Sequence, residues 1–225
     1  MTIRVLLADD DEAIRSAYAI ILGAQPDIEV VGGAADGVEA LELARRLCPD
    51  VVLADIRMPR LDGLELTRQL GGEFRVVVVT TFDLDEYVHA ALRAGATGFL
   101  LKRSGPALLA EAVRAAVAGD TLISPQITVR LLKQLAQPEL LPAQRPRAGG
   151  AGTAPPKGAE ALTARESEIA VLVADGATNA EIGAALFITS GTVKNHLASI
   201  QRKIGARNRV GIAAWAWEHA RTAGG

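Results

Sequence analysis

Residues 51–66, VVLADIRMPRLDGLEL, run four apolar residues straight into an acid, Asp55, and continue through Pro59 and Gly63. The apolar run is not alternating, which is how a strand reads when both of its faces are buried. Four similar runs flank it: IRVLLA at 3–8, IEVVGGA at 28–34, RVVVVT at 75–80 and GFLL at 98–101. Between them lie helix-length segments with apolar residues three and four apart. Ile14/Ala17/Tyr18/Ile21, Val38/Leu41/Ala44, Tyr87/Val88/Ala91/Leu92 and Leu108/Leu109/Ala112/Val113 are examples. Pro106 suits the first turn of the last of these helices. Five repeats of strand and helix predict a doubly wound α/β domain around a parallel five-stranded sheet.

The pattern stops near Leu131. Residues 136–160 are dominated by Pro, Ala and Gly, a linker composition, with a short helix plausible over 125–136 before it. After it the pattern is purely helical. Thr163 and Glu166 form a capping box, and Ile169, Leu172 and Val173 supply an apolar face that Gly176 ends. A short helix follows over 179–186, and Ser190 is read as the cap of another that carries Val193, Leu197, Ile200 and Ile204 and stops at Gly205. Asn208 is read as the cap of the last, running to about Ala220. The reading divides the chain into an α/β domain over 1–122, a linker over 123–160 and a small all-α four-helix domain over 161–225.

Composition agrees with two packed domains: 225 residues, 49% hydrophobic. One cysteine, Cys48, excludes a disulfide framework and a cysteine zinc site, and is expected to pack as a small hydrophobe in a reducing cytosol. MTIRVLLADDD meets acids too soon to be a signal peptide or a membrane span. The net charge of −2 conceals a polarity: residues 1–125 carry −7, 126–160 carry +3 and 161–225 carry +2. Two surfaces with different partners are implied.

Ligands of a parallel α/β sheet bind at the carboxyl ends of its strands. Asp9, Asp10 and Asp11 follow the first strand, Asp55 the third, Thr80 ends the fourth and Lys102 follows the fifth. Clustered carboxylates repel one another and so imply a divalent cation, with Mg²⁺ the hard ion that takes oxygen ligands. A carboxylate is also a nucleophile able to form an aspartyl phosphate. The phosphoryl oxygens then need fixed positive partners, which a metal and Lys102 provide, and Thr80 offers a hydroxyl. Taken singly, Asp55 reads as a turn residue, Asp11 as a helix cap, Thr80 as an ordinary strand residue and Lys102 as a solvated lysine. Their joint placement at four strand ends favours the phosphoryl reading.

LLADDDEAIR, DVVLADIRMPRLDGLEL, VVVVTTFDLDEYV and AGATGFLLKRS closely resemble the receiver domain of two-component response regulators, over about residues 3–118. The resemblance implies a flavodoxin-like fold and phosphorylation of Asp55 by a sensor histidine kinase. It implies an acidic pocket of Asp9 and Asp10, with Mg²⁺ held by Asp10, Asp55 and the backbone carbonyl of Arg57. It also makes Thr80 and Phe99 a switch pair and Lys102 the partner of the phosphoryl group. Pro59 and Gly63 match the loop after the acceptor. Arg57 and Thr81 vary among such domains. Both crowd the path of a hydrolytic water, so slow self-dephosphorylation is expected. Arg103 stands where relatives of this subtype often carry an acid, a departure with no account.

In the second domain the polar face of the 190–204 helix carries Thr192, Lys194, Asn195, His196 and Ser199, then Arg202 and Lys203. Such a face either lies in a DNA major groove or is simply solvated. LTARESEIAVLVADGATNAEIGAALFITSGTVKNHLASIQRKIGARNRV resembles the NarL/LuxR-type helix-turn-helix along nearly its whole length. That resemblance implies a transcription regulator of the bacterial cytoplasm that binds palindromic promoter sites in double-stranded DNA as a homodimer. Asn179 to Ala185 would be the supporting helix and Gly191 to Ile204 the recognition helix. Lys194 and Asn195 would read bases. Thr178, Ser190, Thr192, Lys203 and Arg207 would touch phosphates, His196 either touches phosphate or packs, and Asn179 and Ser199 complete the expected DNA face. Ala198 leaves one polar contact fewer. Val210, Ala214 and Trp217 match the family's dimer contact, while Trp215 and Trp217 could also be core. A charge of +2 is small for a DNA binder, which makes dimerisation driven by phosphorylation a sensible switch.

Two other readings fit part of the pattern. A small-molecule phosphatase working through an aspartyl phosphate would use the same acids, and Asp9 and Asp11 have the nominal spacing, but no cap segment exists and the helical half has no role in it. A regulator indifferent to phosphorylation would not need the full set of acids, threonine and lysine.

Overall fold

The computed structural model describes residues 2–81, 85–124, 127 and 162–222. The first unit alternates as expected: β1 (Ile3–Ala8), α1 (Glu12–Gly23), β2 (Ile28–Ala34), α2 (Gly37–Leu47), β3 (Val51–Ala54), α3 (Gly63–Leu70), β4 (Arg75–Thr80), α4 (Asp85–Ala94), β5 (Gly98–Leu101) and α5 (Pro106–Ala118). The parallel sheet has the order β2-β1-β3-β4-β5-β6. It has six strands where five were expected. β6 (Leu122–Ile123) is two residues long, too short to show a period, and pairs in register with Gly98 and Phe99. Ser124, fully buried, accepts from Leu101 N at 3.1 Å and closes this edge.

The near-continuous apolar runs follow from burial on both faces. Val5, Leu7, Val51, Leu53, Val77 and Val79 pack with Leu22 of α1 and Leu109 and Val113 of α5. Their neighbours Leu6, Ala8, Val52, Ala54 and Val76 pack on the other side with Ala40, Ala44, Leu66 and Leu70 from α2 and α3. Val78, Phe99 and Leu101 meet Val88 and Ala91 of α4. Each buried valine, leucine or phenylalanine among them contributes about 1.5–3 kcal/mol by leaving water.

The second unit has four helices: α6 (Ala164–Ala174), α7 (Asn179–Leu186), α8 (Ser190–Ile204) and α9 (Arg209–Thr222). Ile169, Val173, Ile182, Val193, Leu197, Ile200 and Ile212 form its core. Capping boxes start α6 (Thr163/Glu166) and α7 (Thr178/Glu181). Gly205 ends α8 at φ 70°. The cap of α8 is Thr189, whose side chain accepts from Thr192 N at 3.1 Å, and Ser190 is the first helical residue instead. Trp215 packs against this core and its ring stacks on His219 with centroids 4.1 Å apart.

Cys48 corrects its expectation: it is exposed, because it is the left-handed C-cap of α2 (φ 47°), beyond the helix's buried face. Most of the linker, with its plausible helical start, lies outside the described residues. Among those described, no helix is long and apolar enough to cross a membrane.

Candidate functional site

The sheet order places the topological switch at β1, whose neighbours are β2 on one side and β3 on the other. Asp9 follows β1 and Asp55 follows its neighbour β3, so the two leave the sheet side by side, with Asp55 N donating to Ala8 O at 2.8 Å. Asp10 is exposed while Asp9 and Asp55 are buried, and each of the three offers a carboxylate oxygen within 4.8 Å of the others. Asp11 caps α1, accepting from Ala13 N at 2.8 Å, while its own N–H donates to Asp9 at 3.0 Å. Arg15, which the sequence reading passed over, donates from Nη1 to the Asp9 carbonyl at 2.6 Å. Its place on the same face of α1 as Asp11 was the available signal.

Lys102 follows β5 and its backbone N–H donates to Thr80 O at 2.8 Å. Its Nζ lies 2.6 Å from Asp9 Oδ2 and 2.9 Å from Asp55 Oδ2, with the lysine side chain only 10% exposed. Burial works against the ammonium, yet the bonds to Asp9 and Asp55 outweigh it and raise its pKa. Burial likewise raises the Asp9 carboxyl, with Lys102 opposing. Asp55 Oδ1 accepts from Ile56 N at 2.7 Å. The loop after it is drawn tight: a Cβ on Gly63 would fall 1.9 Å from the Asp55 carbonyl oxygen, so only glycine fits. Arg57 is exposed and its Nη2 lies 3.4 Å from the Tyr87 hydroxyl of α4. Thr80 and Phe99 are both fully buried. Register pairs Val78 with Phe99, so Thr80, two residues on, shares Phe99's face, under α4.

The arrangement brings together an acidic oxygen cluster and one ammonium already seated on two of its acids. An all-oxygen set of this kind fits a hard divalent cation such as Mg²⁺.

On the helical unit, Ser190, Lys194, Asn195 and Arg207 are exposed, with Thr192 and His196 half-buried. Lys194 Nζ donates to Val117 O at the end of α5, at 3.1 Å. Other expected DNA residues have protein partners. Thr178 closes its capping box, and Thr192 bonds Thr189 at 3.0 Å. Lys203 Nζ and Ser199 Oγ each reach Glu166 at 2.8 Å. Asn179 is 3% exposed, its Nδ2 donating to Ala118 O at 2.7 Å and its Oδ1 accepting from Arg209. Asp120 completes that corner, 3.3 Å from Asn179 N and 3.7 Å from Arg209. On α9, Val210 is half-buried and Ala214 exposed, while the Trp217 side chain is outside the described residues. Contacts between the two units were invisible in the sequence, because donors and carbonyls from distant segments leave no spacing to read.

Family models agree with both halves. Residues 5–114 match the response regulator receiver domain, and residues 160–216 match the bacterial regulatory proteins of the luxR family. The chain belongs to the LuxR-type, DNA-binding response regulators of two-component systems. It is 42% identical over 217 residues to the transcriptional regulatory protein LiaR of Bacillus subtilis (strain 168), covering 95% of this chain and 96% of that one. It is 35% identical over 222 residues to the response regulator protein VraR of Staphylococcus aureus (strain NCTC 8325 / PS 47), covering 97% and 98%. Among solved structures, the response regulator ChrA of a heme-sensing two-component system superposes with a TM-score of 0.52 at 34% identity, over 98% of each chain. A structure of two RcsB dimers bound to two parallel DNAs shares the fold, with a TM-score of 0.54 at 22% identity over 96% of this chain and 98% of that one.

Proposed function

We propose that the chain is switched by phosphorylation of Asp55 by a sensor histidine kinase, and that the switch governs dimerisation and binding to palindromic promoter DNA. The observation that carries this reading is Lys102 Nζ, held between Asp9 at 2.6 Å and Asp55 at 2.9 Å beside the acidic cluster. In the transfer, a carboxylate oxygen of Asp55 forms a bond to phosphorus as the phosphorus–nitrogen bond of a kinase phosphohistidine breaks. The imidazole leaves with the electron pair and takes up a proton. Asp10, Asp55 and the carbonyl of Arg57 would hold Mg²⁺, which supplies positive charge against the phosphoryl oxygens. Lys102 moves from the Asp55 carboxylate to a phosphoryl oxygen, keeping its bond to Asp9. The buried Thr80 hydroxyl donates to the same group, and Phe99 beneath α4 answers its movement.

DNA is read by α8 through Lys194 and Asn195, with Ser190, Thr192, His196 and Arg207 near phosphates. In the state described here Lys194 is spent on a carbonyl at the end of α5, so the base reader is occupied until the two units part. Val210, Ala214 and Trp217 of α9 would then meet a second copy. The small-molecule phosphatase reading leaves the entire helical unit without a role.

The test is DNA selection with the purified protein, with and without beryllofluoride and Mg²⁺, alongside Asp55→Ala. Tighter binding only for the treated wild type is expected. Identical binding in all arms removes the switch and leaves the DNA-binding assignment standing.

A further inference from the structure

The two units meet around a cavity of about 260 Å³ lined in part by Arg75, Thr97, Val117, Lys194, Arg207 and Ile212. Polar contacts bridge the two units beside it, from Asn179, Lys194 and Arg209 to the end of α5 and to Asp120 after it, and polar interfaces between domains shift readily. One further side chain stands out there. Asn208 is 6% exposed, and its amide makes three bonds. Its Oδ1 accepts from Gly211 N at 2.9 Å, capping α9. Its Nδ2 donates to Leu92 O, in the last turn of α4, at 2.8 Å and to Ala96 O, in the turn just after that helix, at 3.0 Å. Only a primary amide supplies one acceptor and two donors here, and rotating it by half a turn would set like against like at all three partners.

We propose that Asn208 is the interdomain latch: it caps α9, the helix expected to mediate dimerisation, and through the same amide grips the end of α4, so that α9 follows the position of α4. The inference rests on the proposed function for the direction of signalling. Phe99 packs against Val88 and Ala91 of α4 on the face shared with Thr80, which links the phosphoryl site to the latch through one helix. The groove between them is lined by His89, Leu92 and Arg93 from α4 and by Val210 and Ala214 from α9. A second copy that docks on Val210 and Ala214 has to share this groove with α4, so movement of α4 changes the surface it meets.

Asn208→Asp separates the latch from the cap. Aspartate caps helices as well as asparagine does, but it cannot donate, and its carboxylate would face two carbonyl oxygens. The probe is duplex DNA enriched from a random pool by wild-type protein treated with beryllofluoride. In the full chain carrying Asp55→Ala, adding Asn208→Asp is expected to tighten binding to that DNA by about 5- to 150-fold, the usual range of coupling between sites. Small-angle scattering should show a larger radius of gyration for Asn208→Asp than for wild type. Binding equal to that of Asp55→Ala alone, when beryllofluoride does tighten the wild type, overturns the latch. If beryllofluoride leaves wild-type binding unchanged, the switch reading fails instead, and scattering decides the latch: an unchanged radius overturns it. Should Asn208→Asp not melt as a folded protein, Asn208→Ser keeps a capping oxygen and loses the paired donors, and the same radius comparison applies.

Discussion

At the scale of single residues, Lys102 and Asp55 behave as one unit. Replacing Lys102 by alanine leaves two buried acids facing each other without their shared cation. We expect Lys102→Ala to lose most of the phosphorylation-driven gain in DNA binding while Asp55 can still be labelled, and Asp55→Ala to lose the label altogether. Gel separation of phosphorylated from free protein checks both, and full labelling of Asp55→Ala would move the acceptor elsewhere. Arg57, two residues beyond the acceptor, is exposed and reaches toward Tyr87, and Thr81, next to Thr80, is exposed as well. The expectation that both crowd a hydrolytic water predicts a phosphate lifetime of minutes or longer, and decay within seconds in the purified protein rejects it. Glu166 gives a pH prediction. The Lys203 ammonium, then the Thr163 backbone N–H, lower its pKa from 4.5 to about 2. A depressed acid stabilises the fold above its unfolded value, and that stability is lost as pH falls from about 4.5 through about 2. Glu166→Gln should therefore melt below wild type at neutral pH, with the gap closing across that window. A constant gap would show that Glu166 contributes through shape alone.

At the scale of elements, most boundaries were legible from local chemistry. Strands announced themselves by burial on both faces and α6 by a capping box that forms as read, while the second box, Thr178 with Glu181 at the start of α7, is a finding of the structure. The start of α8 was not legible in the same way, because Thr189 and Ser190 are adjacent and either can cap. The backbone chose Thr189, which is extended at ψ 153° while Ser190 is already helical. Thr189→Ala is accordingly expected to cost about 1 kcal/mol of the helical unit's stability. Ser190→Ala should stay within about 0.5 kcal/mol, as surface changes generally do. Equal losses in denaturant melts would return the cap to Ser190. The sixth strand escaped notice for a different reason: two residues carry no period, and β6 exists only because β5 offers an edge and Ser124 closes it.

For the whole molecule, the acidic α/β unit and the mildly basic helical unit match a kinase-facing and a DNA-facing surface. A dimer whose two halves together engage about six to eight phosphates should lose roughly 10³-fold or more in DNA affinity between about 50 and 200 mM salt. A binding curve indifferent to salt would mean that α8 is not on DNA. The family, the alternation of strand and helix, and the acids, threonine and lysine that stand at the strand ends were readable from one dimension, because each rests on short-range rules: burial period, capping, and the rule that sites gather at strand ends. Cys48 shows where those rules stop, since its residue type said buried and its backbone position said exposed. The partners of Asn179, Lys194, Asn208 and Arg209 lay beyond any such rule. Each bonds a group that sits 30 to 116 residues away in the chain, and several of those groups are backbone carbonyls. A carbonyl is the same in every residue, so its identity as a partner carries no sequence signal; only the packing of one unit against the other brings it within reach.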